Sequence, residues 1–272
     1  MPLERRAAGQ TESLGQRDAA TDNTRGRRLD RERVRHRVSR PVWPDRIAAP
    51  DRYGASQAET VSRKLDPEQQ AAFIKAYEEL LNHLDADEAV LFADAVHPTH
   101  AVRAVGCWGP KDTKVAVAQT SGRQRLNIHG AIDLETGRTR MLEAATVDAA
   151  STIMLLMAIE AMYPGKRMIH PFADNARYHH AKVVQAWLAR PGCRIKLRFI
   201  PAYCPHLDPI ERLWGLMHRL ITHNRCYERF ADFRDAILTF LREEVPRNWH
   251  LYCDDVSDNF RIISPKDFRT LA

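Results

Sequence analysis

Three acidic residues occupy places where a carboxylate is conspicuous. Asp94 interrupts the apolar run AVLFADAV at 89–96, Asp174 closes the run RMIHPFAD, and Glu211 sits at the third position of a helix opened by Asp208-Pro209. Each has a structural alternative. Asp94 is readable as a satisfied core acid, Asp174 as the cap of the helix that follows, and Glu211 as one half of an Asp-x-x-Glu capping box. An unpaired carboxylate in a buried strand is costly, which makes the first alternative the weakest. Gathered together, the three suggest one site with a counter-charge, because two carboxylates about 4 Å apart repel by roughly 1 kcal/mol in water and about 4 kcal/mol at an effective dielectric near 20. Mg²⁺ or Mn²⁺ suits such a site, being a hard ion that takes oxygen ligands and keeps coordination places for water and phosphate. Two such ions would serve an in-line phosphoryl displacement. Asp94, Asp174 and Glu211 are accordingly the candidate catalytic and metal-binding residues.

The elements that must position these acids read as follows. Asp66-Pro67 opens a helix, 67–84, with Phe73, Tyr77, Leu80, Leu81 and Leu84 on one face. The 89–96 run is a buried strand, with Asp94 on the face of Val90, Phe92 and Val96. Strands are expected at 115–118, 126–134 and 138–145, the last two joined by a turn at Glu135-Thr136-Gly137 into an antiparallel hairpin. A helix covers 149–163, a strand runs into Asp174, and a helix over 177–189 follows with Val183, Val184, Trp187 and Leu188 inward. Ile195, Leu197 and Phe199 alternate with Lys196 and Arg198 as a strand with one basic face. The helix from Pro209 carries Ile210, Leu213, Trp214, Met217, Leu220 and Ile221 at helical spacing, and a last helix spans 228–244. The order implies an α/β class: a mixed sheet flanked by helices.

The 272 residues carry a formal charge of +6, which favours an anionic partner without establishing one. No apolar run reaches the length needed to span a membrane, no exported leader is evident at the start, and the five cysteines are odd in number and never spaced C-x-x-C. These point to a cytoplasmic protein without a disulfide framework. Residues 1–60 hold thirteen Arg, no Lys and only seven Leu, Ile, Val or Phe. That is too little apolar surface to offset ordering, so 1–64 is expected to be a poorly structured basic N-terminal segment or a phosphate-contacting arm, with the folded domain at 65–272. No G-x-x-x-x-G-K or G-x-G-x-x-G loop supports a nucleotide-binding fold.

The segments LFADAVHPTH, LNIHGAIDLETG, FADNARYHHAK and FIPAYCPHLDPIERLW, in this order, closely resemble the DDE-type transposases of bacterial insertion sequences related to the mariner group, over about residues 65–268. The resemblance implies a ribonuclease-H-like fold and metal-dependent DNA strand cleavage at element ends with strand transfer into target DNA, at TA dinucleotides in many relatives. It carries the catalytic triad onto Asp94, Asp174 and Glu211. The expected partners are element-end and target DNA, bound as a homodimer, in a bacterial, nucleoid-associated protein. Three departures stand out. Asp208 replaces the usual Asn, Pro171 lies inside the second acidic strand, and residues 1–64 lack the periodic pattern of a helix-turn-helix. An upstream part read out of frame would give the same compositional shift, which the other two frames of the neighbouring DNA would reveal. The alternatives in other classes are a ribonuclease-H-like nuclease without strand transfer and a truncated, inactive DNA-binding remnant.

Further candidates are weaker. Asn175, His179, Lys196 and Arg198 are candidate DNA contacts, as are Lys114, Arg123 and Arg125. His179 and His180 at a helix start, with His97 and His100, read better as rim or solvent-facing groups than as a zinc set. Ser121 has no base of triad type nearby, so acyl transfer is unsupported.

Overall fold

The structure, a computed structural model, describes residues 64–107, 114–120, 122–264 and 267. The expected basic segment at 1–64 falls, except for Lys64, outside the described residues, as does Ser121. Strands β1 (Glu88–Val96), β2 (Ile128–Ile132), β3 (Thr139–Glu143), β4 (Met168–Ala173) and β5 (Arg198–Phe199) form one sheet in the order β3-β2-β1-β4-β5. β1 runs antiparallel to β2 and parallel to β4, while β2–β3 is the expected hairpin. Its turn works because Gly137 adopts φ +70°, a left-handed conformation that costs glycine little. Asp133 ties the same turn down by accepting from the N–H groups of Glu135 and Thr136, and its other oxygen takes the Tyr163 hydroxyl. A buried acid satisfied in this way is structural.

Both faces of the sheet are covered, which explains why β2 is buried at every position. On one face Phe92, Ile128, Ile132 and Phe172 pack under α1 (Pro67–Asn82), α4 (Pro209–Met217) and α5 (Phe230–Thr239). Phe73 and Tyr77 of α1 meet Phe172 edge-on, with ring centroids 5.8 and 5.5 Å away. On the other face Leu91, Ala93, Ala131 and Ile169 pack under α2 (Ala149–Met162) and α3 (Lys182–Leu188). Helix starts follow the sequence signals. Asp66 accepts from Glu68 and Gln69 N–H ahead of Pro67, and Asp148 and Ser151 form a reciprocal capping box on α2.

Four expectations are corrected. Residues 115–118 form no strand. Val115 is 56 % exposed, and two valines alternating with alanine bury too little to hold an unpaired strand. The helix expected over 177–189 is split into a 3₁₀ turn, Arg177–His180, and α3, with Ala181 extended between them. The break turns His179 inward and leaves Val183 on the surface, while Val184 is fully buried. The strand expected around 195–199 is reduced to the Ile169–Ile195 bridge and the two residues of β5. Pro171 supplies the reason. Ile169 bonds Arg194 and Lys196, and Ala173 accepts from Ile200, so alternation aims residue 171 at this same neighbour, where proline has no N–H to give. Finally, the last long helix stops as a regular α-helix at Thr239 and continues through a wider π-type turn, Phe240–Glu244.

Candidate active site

The parallel register of β1 and β4 pairs Ala93 with Ala173. The residues that follow, Asp94 near the end of β1 and Asp174 just past β4, therefore stand side by side towards the carboxyl ends of adjacent strands. β5 ends on the same edge, and the loop after it delivers α4 with Glu211 in its first turn. All three carboxylates line one cavity of about 400 Å³, together with Asn175, Asp208 and the loop Ile200–Pro205. Among the described residues no three His, Cys, Asp or Glu side chains stand close enough to ligate a single ion as placed, so the acids share a cavity rather than a finished coordination sphere.

Each carboxylate has its own support. Asp94 is half-buried, and its Oδ2 accepts a 3.0 Å hydrogen bond from Trp214 Nε1. The indole reaches it across Gly130, which lies opposite Asp94 in the β1–β2 register. A Cβ on Gly130 would stand 2.5 Å from Met141 Sδ and 2.9 Å from the Trp214 ring. Glycine is thus required there for close approach rather than for a turn. Asp174 accepts from Ala176 N–H at 3.2 Å, and its Oδ1 lies 3.2 Å from His179 Nε2, within ion-pair distance although not aligned as a good hydrogen bond. Asp208 caps α4 by accepting from Ile210 N–H, and its own N–H goes to Pro205 O. No capping box forms, which leaves the Glu211 carboxylate to face the cavity.

The electrostatics follow from that gathering. Burial raises Asp94, with Asp174 adding to the shift against the pull of its hydrogen bonds. Proximity to His179 lowers Asp174. Glu211 is pushed up to about 7 by desolvation and then by Asp94 and Asp174. Although Glu211 is exposed by surface area, its open side is the cavity, where the other acids stand. Burial and Asp94 push Asp208 well above the ordinary carboxylate range, towards a neutral carboxyl. A neutral acid has the shape of an asparagine, so the departure from Asn adds less charge than the sequence implies.

Behind Asp174 the sequence reading missed a layer. His179, expected as a DNA contact, is only 2 % exposed and stacks edge-on against Tyr178. Its ring faces Asp174. His129, on β2, is fully buried beside it, and burial with the neighbouring His179 holds it down at about 4. Asn175 lines the cavity, with its Oδ1 accepting from His180, whose ring stacks on Phe199 at 4.2 Å. Lys196 is exposed but outside the cavity lining, and Arg198 is half-buried, its Nε donating to His170 Nδ1 at 3.3 Å. His97 bonds Asn127 and His100 bonds the Tyr227 carbonyl, so these histidines have local structural partners. Trp214 was read only as an apolar stripe residue. The signal available in the sequence was an indole one turn after Glu211, the single donor type on an otherwise aliphatic face.

The profile of the DDE superfamily endonuclease family matches residues 89–234, more than half of the chain and the span that holds all three acids. The chain belongs to that family. Among curated relatives, the chain is similar to the insertion element IS630 uncharacterized 39 kDa protein of Shigella sonnei, 27% identical over 158 residues. That match covers 58% of this chain and 44% of the relative, so the chain spans less than half of that protein's length. Among solved structures, the Mos1 strand transfer complex superposes with a TM-score of 0.52 at 14% identity, covering 78% of this chain and 68% of that one. A Mos1 mariner paired end complex with Mn gives 0.52 at 15% identity, over 77% and 68%. At such identities the likeness is one of fold, and the fold of the chain is ribonuclease-H-like.

Two outcomes follow. Gly130→Ala is expected to cost about 1–3 kcal/mol by overpacking against Trp214 and Met141, read from urea unfolding. In metal-free buffer, a carboxyl raised from 4.5 to about 7 on folding favours the native state below its unfolded pKa and loses that contribution as pH rises through about 7. Wild-type stability is therefore expected to fall between about pH 4.5 and 7 more steeply than that of Glu211→Gln, with EDTA present throughout; parallel pH profiles would refute the electrostatic account.

Proposed function

We propose that residues 65–272 are the catalytic domain of an insertion-sequence transposase, which cuts DNA at the element's ends and joins the freed 3′-OH to target DNA. The observation that carries this reading is the delivery of three acids from separate segments to one cavity at the carboxyl edge of a ribonuclease-H-like sheet. Asp94, Asp174 and Glu211 fit Mg²⁺ or Mn²⁺ as a donor set: all are hard oxygen ligands, and Glu211 held near 7 marks a site short of positive charge. One or two such ions would supply Lewis-acid stabilisation of the attacking and leaving oxygens in an in-line phosphoryl displacement.

The remaining work falls to the chain's own groups. Trp214 orients Asp94, and Ala176 N–H with the nearby His179 orients Asp174, so both carboxylates would be held ready for the ions. Glu211, in the first turn of α4 at the cavity, is placed to help take the proton of the attacking hydroxyl. Exposed Lys114, Arg123, Arg125 and Lys196 are the candidate phosphate contacts, and a homodimer on paired DNA ends is the expected working form.

The test is cleavage and joining of duplexes carrying the ends of the element that encodes this chain. Asp94→Asn, Asp174→Asn and Glu211→Gln are each expected to lower Mn²⁺-dependent cleavage by at least about 10³-fold while circular dichroism stays native. Full cleavage by any one of them would remove that residue from the catalytic set. Cleavage without end joining by the wild type would instead favour a nuclease of the same fold.

A further inference from the structure

Tyr203 stands in the loop between β5 and α4, on the wall of the cavity that holds the three acids. Its backbone has φ +63°, a left-handed conformation in which a bulky non-glycine residue is strained. Tyr203 is 54 % exposed, whereas the next residue, Cys204, is buried. The strain therefore does not serve to bury the ring; it turns an aromatic surface outward. Pro201 and Pro205 stiffen the loop on either side, and strain of this kind collects at functional sites. Lys64 donates to the Tyr203 hydroxyl at 3.3 Å, and its ammonium lies 5.1 Å from the ring centroid, which adds positive charge beside the aromatic face.

The neighbouring walls are Ile200, Pro201, Ala202 and Pro205, apolar groups that read no base edge. The cavity of about 400 Å³ lies within the roughly 300–1,000 Å³ typical of small-ligand sites. A flat π-surface, a cation, apolar walls and adjacent acids suit one ligand class: an unpaired nucleobase whose own phosphodiester reaches the carboxylates.

We propose that Tyr203 is a stacking platform for the unpaired base next to the phosphodiester that is cut. This rests on the reading of the site as one acting on DNA. Stacking on an aromatic side chain is tolerant of base identity, so the subsite holds the strand without choosing its sequence. Strain in the loop keeps the ring presented before DNA arrives.

The experiment uses the full chain with Ca²⁺ and short duplexes bearing a single-stranded flank, with 2-aminopurine placed in turn on each side of the junction. Wild type and Tyr203→Phe are expected to quench the probe at one position. Tyr203→Leu should lose the quench and bind about 5- to 150-fold more weakly. Replacing the probed nucleotide by an abasic one should make wild type and Tyr203→Leu bind alike. Tyr203→Gly separates presentation from folding: it relieves the left-handed strain, so its melting temperature should match or exceed the wild type's while the quench is lost. Equal quenching by Tyr203→Leu, or a binding difference that survives the abasic substitution, would overturn the stacking role. Cleavage that persists without any quench would do so too and would leave the proposed function standing. Quenching that depends on Tyr203 in a chain that never cleaves DNA would uphold the subsite and defeat the function.

Discussion

Like charges held close together are the constraint around which this domain is built. Asp174 raises the cost of ionising Asp94, both raise that of Glu211, and the fully buried Asp208 stands within the same field, while His179 keeps Asp174 itself low. Nothing in a folding ledger rewards such a gathering. The sheet bears it because its two apolar faces supply stability elsewhere, through Phe92 and Phe172 on one side and Leu91 and Ile169 on the other. Stability and chemistry are thus separated in space: the core is held by strand interiors, and the acids sit at or near the carboxyl ends of the strands and at the start of α4.

The support behind the acids shows how core packing orients such a site. Each aspartate has one ring turned towards it from the core side, an indole that donates to Asp94 and an imidazole within ion-pair distance of Asp174. Both rings come from residues that also pack, so orientation follows from core packing. Gly130 and Trp214 make the point concretely. The indole can reach Asp94 only because the residue opposite Asp94 has no side chain. Asp133 offers the contrast, a more deeply buried acid whose oxygens are consumed by its own turn and by Tyr163.

Pro171 is a comparable case of a local rule setting a larger shape. By withholding one N–H it leaves β4 with a broken partner on its outer side, so β5 shrinks to two residues. The chain beyond β5 then departs as the proline-stiffened loop that carries Tyr203 and Asp208 to the cavity. What looked in the sequence like an anomaly in a central strand marks the place where the sheet gives way to the site.

The local elements around the acids were legible because short-range chemistry writes them. Asp-Pro pairs open α1 and α4, a continuous apolar run makes β1, and the turn at Gly137 makes the hairpin; each depends on neighbours a few residues away. The three acids themselves were found in the same way, as charges out of place in apolar runs or at helix starts. Residues 115–118 misled because alternation describes a strand's faces and says nothing about whether a partner strand exists. His179 misled because its direction depends on a helix break and on α2 packing behind it. Trp214 was counted as core because spacing places it on an apolar stripe, while its hydrogen bond spans 120 residues. The sequence alone determined which residues carry charge and where helices and strands begin. Only the tertiary structure decided which of those charges meet and which buried donors hold them, because those contacts join residues that pattern and propensity treat as strangers.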